Sequence, residues 1–244
     1  MFLKHTSAFG FAILNSFQQA YIDALACYPT RSVGGVLVTL SNIDKAVAEE
    51  MVDNVLIAMK NRIEGLEWMS DTTKTQALNK LASITVKIGY PDKWKDYSSL
   101  EVKRGTEDAS YASNVLAVRI WGYEDQLSKL HEPVDREEWN MNPQTVNDYY
   151  SPLSNEIVFP AAILQPPFFD FKADAPFNFG GIGAVIGHEI SHGFDDKGSQ
   201  FDKDGNFSNW WTDEDLEKFT ALGDKLVEQY NGAEVLPEVF INGK

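Results

Sequence analysis

Cys27 is the only cysteine among 244 residues, so no internal disulfide can form and a disulfide-stapled scaffold is excluded. Cationic side chains are scarce too. With 21 Lys and Arg against 36 Asp and Glu, the formal net charge is −15. The basic footprint that neutralises phosphates is missing, which argues against a nucleic-acid partner. No stretch reaches the roughly eighteen apolar residues that span a bilayer, and there is no internal repeat, low-complexity tract or long linker. What is present suits a globular chain: 43% hydrophobic and 12% aromatic residues suffice for a sizeable core.

The opening "MFLKHTSAFGFAIL" loosely imitates a signal peptide, with Lys4, an apolar run from Ala8 to Leu14, and Ala24-Leu25-Ala26 before Cys27. Asn15, Gln18, Gln19 and Asp23 interrupt that pattern. Ile13, Phe17, Tyr21, Ala24, Leu25 and Tyr28 recur instead at helical spacing, which favours an amphipathic helix within an unassigned segment 1–32.

Residues 33–132 read as mainly helical. Ser41 and Asp44 stand in capping-box relation ahead of a stripe of Ile43, Val47, Met51, Val55, Met59, Ile63 and Leu66. Asp71 is a candidate N-cap for a second helix, whose stripe of Ala77, Leu78, Leu81, Ala82 and Ile88 stops at Gly89-Tyr90-Pro91. A further helix is expected within 106–130. After Pro133 the character changes: "TVNDYYSPLSNEIVFPAAILQPPFF" holds two strand-like runs around Ser-Pro-Leu-Ser-Asn. Pro152, Pro160, Pro166 and Pro167 suit an edge strand feeding irregular wall. "FNFGGIGAVIGHEISHGF" then returns to helix. A last helix should start at Thr212, close a capping box with Asp215, and bury Leu216, Phe219, Leu222, Leu226, Val227 and Tyr230.

The chemistry is concentrated in "HEISH". His188 and His192 are four residues apart, one turn along a single helix face. Two imidazoles so placed can share one tetrahedral Zn2+, and Glu189 beside them can act as general base on the water that the ion acidifies. A three-position pattern also arises by chance among surface histidines. Against chance, the motif sits in an apolar, glycine-rich segment and takes two of the chain's four histidines. A metzincin needs Gly at 195 and His at 198, where this chain has Asp195 and Gly198. A gluzincin takes its third ligand from a later Glu-x-x-x-Asp, and none follows the motif.

"NDYYSPLSNEIVFPAAILQPPFFD", "GGIGAVIGHEISHGFDDKGSQFDKDG" and "NWWT", with "LEWMSDTTKTQALNKLASITVKIGYPD" upstream, resemble the neprilysin and endothelin-converting-enzyme family of zinc metallopeptidases, especially its bacterial oligopeptidase members. The resemblance runs from about residue 33 to the end. It implies a mainly α fold with a small β-sheet (α+β): a thermolysin-like gluzincin catalytic domain, here expected to be incomplete at both ends. It implies a zinc endopeptidase that cleaves oligopeptides on the amino side of hydrophobic residues. By the same resemblance His188 and His192 are zinc ligands, Glu189 is the catalytic base, and Asn147 binds substrate backbone from an edge strand. Asp148 stands where the family usually has Ala, placing a charge at the cleft rim. Ile163, Phe168 and Val185 match a hydrophobic substrate pocket, and Ala184 replaces a bulkier residue there. The third ligand and its Asp partner are expected beyond "INGK", so this chain by itself should show little or no activity. Cytoplasm and cell envelope of a bacterium both remain open as locations, and so does the oligomeric state.

Asp195 lies where a carboxylate can orient the His192 ring through its second nitrogen; ordinary helix-end polarity is the alternative. "DKDGN" from Asp202 to Asn206 has its glycine one place early for a calcium loop and suits a hairpin turn. Glu214 is a weak substitute ligand, better explained as an acidic helix start. The rival function is a non-catalytic module that binds a peptide or partner along the edge strand near Asn147. An aminopeptidase is disfavoured, since no GxMEN-like segment is present to hold a free amino terminus.

Overall fold

Asp44 accepts the Val47 amide on its side chain and so starts the first long helix, Lys45–Glu64 (α1). The computed structural model describes residues 2–4, 36–38, 44–103 and 110–244. Ser41 and the helix expected over Ile13 to Tyr28 lie outside the described residues. Phe2–Lys4 (β1) and Val36–Val38 (β2) pair antiparallel ahead of α1, adding sheet where helix was expected. Along α1, Ala48, Met51, Val52 and Ile63 are buried, close to the expected stripe.

Ser70 rather than Asp71 caps the second helix, Asp71–Ala82 (α2), by accepting the Thr73 amide on its hydroxyl. Asp71 falls in the first turn, where its charge complements the helix dipole. The helix ends at Ala82, and Thr85–Gly89 (β3) follows as a strand. Ile88 therefore belongs to a strand and not to the helical stripe, because β-branched Thr85, Val86 and Ile88 favour the pleated conformation.

Tyr149–Ser151 (β4) and Glu156–Pro160 (β5) are the two strands expected around the Ser-Pro-Leu-Ser-Asn loop, paired antiparallel with Tyr150 opposite Ile157. The sheet order β3-β5-β4 leaves β4 on an edge. Every residue of β5 is buried, and Glu156 offsets its burial with an ion pair to Lys87 at 2.7 Å.

The glycine-rich stretch expected as one helix is two, Ala175–Gly180 (α4 after the helix Tyr111–Ser128, α3) and Ile182–His192 (α5). The break falls at Gly181, where a Cβ would lie 2.5 Å from the Phe168 carbonyl oxygen. That carbonyl instead accepts the Ile182 amide at 2.8 Å. Ile182, Ile186 and Ile190 recur every fourth residue, are all buried, and seat α5 against α1.

Thr212 caps the last long helix, Asp213–Asn231 (α6), as expected, but no capping box closes. The Asp215 carboxylate turns away to the Ser70 amide and hydroxyl, and the Thr212 amide donates to Thr73 Oγ1 at 3.3 Å. One buried carboxylate thus ties the N-termini of α2 and α6 together. The expected core face of α6 is open: Leu216, Leu222, Leu226 and Tyr230 are exposed, and only Phe219 and Val227 are half-buried. A core stripe buries only what another element covers, and no described element covers this one. A short hairpin of Glu234–Leu236 (β6) and Val239–Phe240 (β7) ends the chain.

The chain divides into two units. One contains the strands before Asp44, Gly89–Val146 and Pro160–Ala162; it carries α3, which Ser110 and Ser113 cap reciprocally and which has no buried residue. The other, Asp44–Ile88, Asn147–Phe159 and Ile163–Lys244, holds the main core and every residue of the site below. Among the described residues, no helix is long and apolar enough to cross a membrane.

Hydrogen bonds from the Ser70 and Thr73 hydroxyls hold the Asp215 carboxyl well below the usual carboxylate range, against the opposing effect of burial. Its contribution to stability is therefore present above about pH 4 and is lost as the solution is acidified through its folded-state pKa. Asp215→Ala is expected to lower the thermal midpoint near neutral pH, with the deficit shrinking toward about pH 2. A deficit that is constant over that range contradicts the assignment.

Candidate metal centre

Helix α5 turns its isoleucine face inward and leaves His188 and His192 one turn apart on the open side. Their Nε2 atoms are 3.0 Å apart, and His188 Nε2 lies 3.9 Å from Glu189 Oε1. Two nitrogens each about 2.0–2.1 Å from one tetrahedral zinc stand roughly 3.3 Å apart. The observed separation is close to that value, so the imidazoles fit a single ion. Among the described residues, His188, Glu189 and His192 form the cluster of three candidate metal-ligating side chains, their ligand atoms all within 4.8 Å of one another.

Asp195 sets the second imidazole. Its Oδ2 is 2.7 Å from His192 Nδ1, and its Oδ1 accepts the Lys197 and Gly198 amides at 2.9 and 2.7 Å. Placing the ring proton on Nδ1 leaves the Nε2 lone pair for a metal. Burial pushes the Asp195 carboxyl up, but these bonds outweigh it and hold the group below its ordinary range. Asp195 lies beyond the last residue of α5, so the helix-end penalty on an anion is replaced by direct bonds to amides. Gly198 permits the arrangement, since a Cβ there would meet the His192 carbonyl oxygen at 1.8 Å.

Glu189 reaches the same cluster from the buried side of the helix and is only 4% exposed. Burial raises its carboxyl to about 7, reinforced by a hydrogen bond with Asp148 and that residue's negative charge, while His192 and the Tyr150 amide pull it down. A negative charge beside a buried carboxyl disfavours its ionisation, which is the direction seen at Glu189. Asp148 precedes edge strand β4, and the expected charge at the cleft rim is in direct contact with the expected base.

The remaining expected residues are less concentrated. Ala184 is exposed and Val185 half-buried, one turn ahead of His188 and Glu189 on α5. Asn147 is exposed at the entry to β4. Phe168 is 37% exposed, whereas Ile163 is 4% exposed and faces the core. Glu214 is exposed and paired with Lys218 at 2.7 Å, so it takes no part in the cluster. Asp202 accepts the Asp204 and Asn206 amides at 2.9 Å and Phe201 bridges to Phe207, which is the hairpin turn expected over "DKDGN". Lys80, whose ammonium donates to the loop after α5, is a further residue at the site. The signal for it was a cation at an inward position of the α2 stripe.

Comparison with known proteins gives concordant matches. The description "Peptidase family M13" covers residues 147–244, and the N-terminal part of the same family covers residues 36–91. Neprilysin-3 of Drosophila melanogaster is 38% identical over 203 residues, which are 82% of this chain and 26% of that protein. Neutral endopeptidase of Lactococcus lactis subsp. cremoris is 43% identical over 193 residues, 78% of this chain and 30% of that protein. The crystal structure of Mycobacterium tuberculosis zinc metalloprotease ZMP1 with an inhibitor superposes with a TM-score of 0.76 at 48% identity, covering 82% of this chain and 31% of that one. This chain thus spans about 26–30% of the length of those two curated relatives.

A carboxyl raised from 4.5 to about 7 in the fold contributes stability below the lower value that is lost as pH rises through the upper one. In the presence of a chelator the chain should lose thermal stability across that interval, and Glu189→Gln should remove this loss, leaving the variant more stable than its parent at about pH 8. Identical pH profiles for the two proteins contradict the assigned burial and Asp148 contact.

Proposed function

The chain belongs to peptidase family M13, the neprilysin-like zinc metallopeptidases, and on that premise we propose that it carries the zinc-binding and proton-transfer part of an oligopeptide-hydrolysing site. The observation that carries this reading is the convergence of the His188 and His192 Nε2 atoms at 3.0 Å with Glu189 beside them. A zinc ion held there would supply Lewis acidity toward a scissile carbonyl and lower the pKa of water. Glu189 takes a proton from the attacking water and returns it to the leaving nitrogen. Its burial against β4 fixes the carboxyl in place, and its elevated pKa suits a group that must both accept and release a proton near neutral pH. Asp195 keeps the His192 ring oriented. Edge strand β4, entered through Asn147 and Asp148, is the side of the sheet along which an extended peptide would lie. The resemblance to the family supports Ala184, Val185, Phe168 and Ile163 as the apolar residues that receive the side chain after the cut, with a preference for cleavage on the amino side of hydrophobic residues.

Among the described residues two histidines and one base make up the cluster, fewer protein ligands than a catalytic zinc usually has, so turnover by this chain alone is proposed to be slight. The edge strand also supports a second reading, peptide capture without hydrolysis. Assay of the chain with zinc against hydrophobic oligopeptides separates the two. Any hydrolysis should fall by about 100-fold or more in Glu189→Gln, and zinc binding should fall in His188→Ala. Hydrolysis that survives Glu189→Gln, or zinc binding unchanged by His188→Ala, overturns the reading.

A further inference from the structure

Lys80 stands on α2 at an inward position shared with Thr73, Ala77 and Leu81, where an aliphatic side chain fills space at lower cost than a cation. It is 1% exposed. Its ammonium donates to the carbonyls of Gly198 at 2.6 Å and Phe201 at 2.7 Å. The rings of Tyr150, Phe194 and Trp210 surround it at 5.7–6.0 Å from their centroids. Burial pushes its pKa down to about 8, while the charges of Asp195 and Asp202 oppose that fall. The side chain is thus an expensive buried cation, and both of its hydrogen bonds go to one loop.

That loop orients His192. Gly198 is held from two sides: its carbonyl accepts from Lys80, and its amide donates to Asp195 Oδ1 at 2.7 Å. The other oxygen of Asp195 lies 2.7 Å from His192 Nδ1. A continuous set of hydrogen bonds therefore runs from a helix 118 residues upstream to the second imidazole. Trp210 and Trp211 donate their ring N–H groups to the Phe201 and Ser199 carbonyls, so the loop is also braced by two indoles. Lys80 is the cationic support of the loop, and the Asp195 charge acts on it.

We propose that Lys80 is a positioning residue of the metal centre: its buried ammonium sets residues 195–201 so that Asp195 meets Nδ1 of His192 and Nε2 is presented to zinc. The assignment rests on the zinc-binding function proposed above. It separates from mere fold support because its effect must pass through Asp195.

Zinc affinity is measured by competition with a colour-forming chelator for the parent chain, Lys80→Met, Asp195→Asn and the double variant, with near-ultraviolet circular dichroism as the check on folding. Lys80→Met and Asp195→Asn should each weaken zinc binding by about 10-fold or more, the size seen when groups that orient metal ligands are removed. The double variant should bind no more weakly than Asp195→Asn, because both losses act on one imidazole. Affinity of Lys80→Met within about twofold of the parent, or losses that multiply in the double variant, overturn the assignment. Failure of the parent chain to bind zinc overturns the proposed function and this assignment with it, whereas parental binding matched by Lys80→Met overturns the assignment alone. If Lys80→Met and Lys80→Gln both fail to fold, the parent chain decides. A nitrogen chemical shift of the Lys80 ammonium that moves on zinc addition supports the coupling, and one that stays fixed overturns it.

Discussion

The bond between Asp195 and His192 is the constraint on which the rest of the site depends. A helix alone places two imidazoles on one face but leaves each ring free to rotate about its side-chain bonds. Asp195 removes that freedom at His192 and assigns the proton to Nδ1. The bond requires the chain to turn back directly after α5, which is why Gly198 approaches the His192 carbonyl so closely and why the loop is bonded to Lys80, Trp210 and Trp211. The buried isoleucine face of α5 keeps the helix itself from moving. The metal centre is thus the exposed side of a core whose buried side makes it rigid.

Glu189 faces the opposite problem. A group proposed to act as base beside an ion must be shielded enough to hold a proton, and Glu189 is buried next to β4 with the Asp148 charge against it. A neutral residue at 148 would leave Glu189 more acidic. The contact ties the proposed base to the strand proposed to receive peptide.

The parts of this arrangement governed by near neighbours were legible in the sequence. The spacing of His188, Glu189 and His192, the strands around "SPLSN", the Thr212 cap and the turn at Gly205 all follow from chemistry within a few residues. What was misjudged depends on distant groups. Gly181 interrupts the expected helix because Phe168, far off in sequence, comes too close. Asp215 leaves its own capping box because Ser70 offers a better donor set. Lys80 meets a loop 118 residues away, and no local pattern announces that contact. Thr85–Gly89 was a contest between two local tendencies, in which β-branching and a place beside β5 prevailed over helical spacing. The apolar face of α6 was recognised correctly as a stripe, but its burial depends on a covering element that the stripe itself does not specify.

X-ray absorption of the chain loaded with one equivalent of zinc tests the central claim most directly. Two imidazole nitrogens at about 2.0–2.1 Å, falling to one in His192→Ala, is the predicted first coordination sphere. A sphere of oxygen ligands only, or a nitrogen count unchanged by that substitution, would contradict the account.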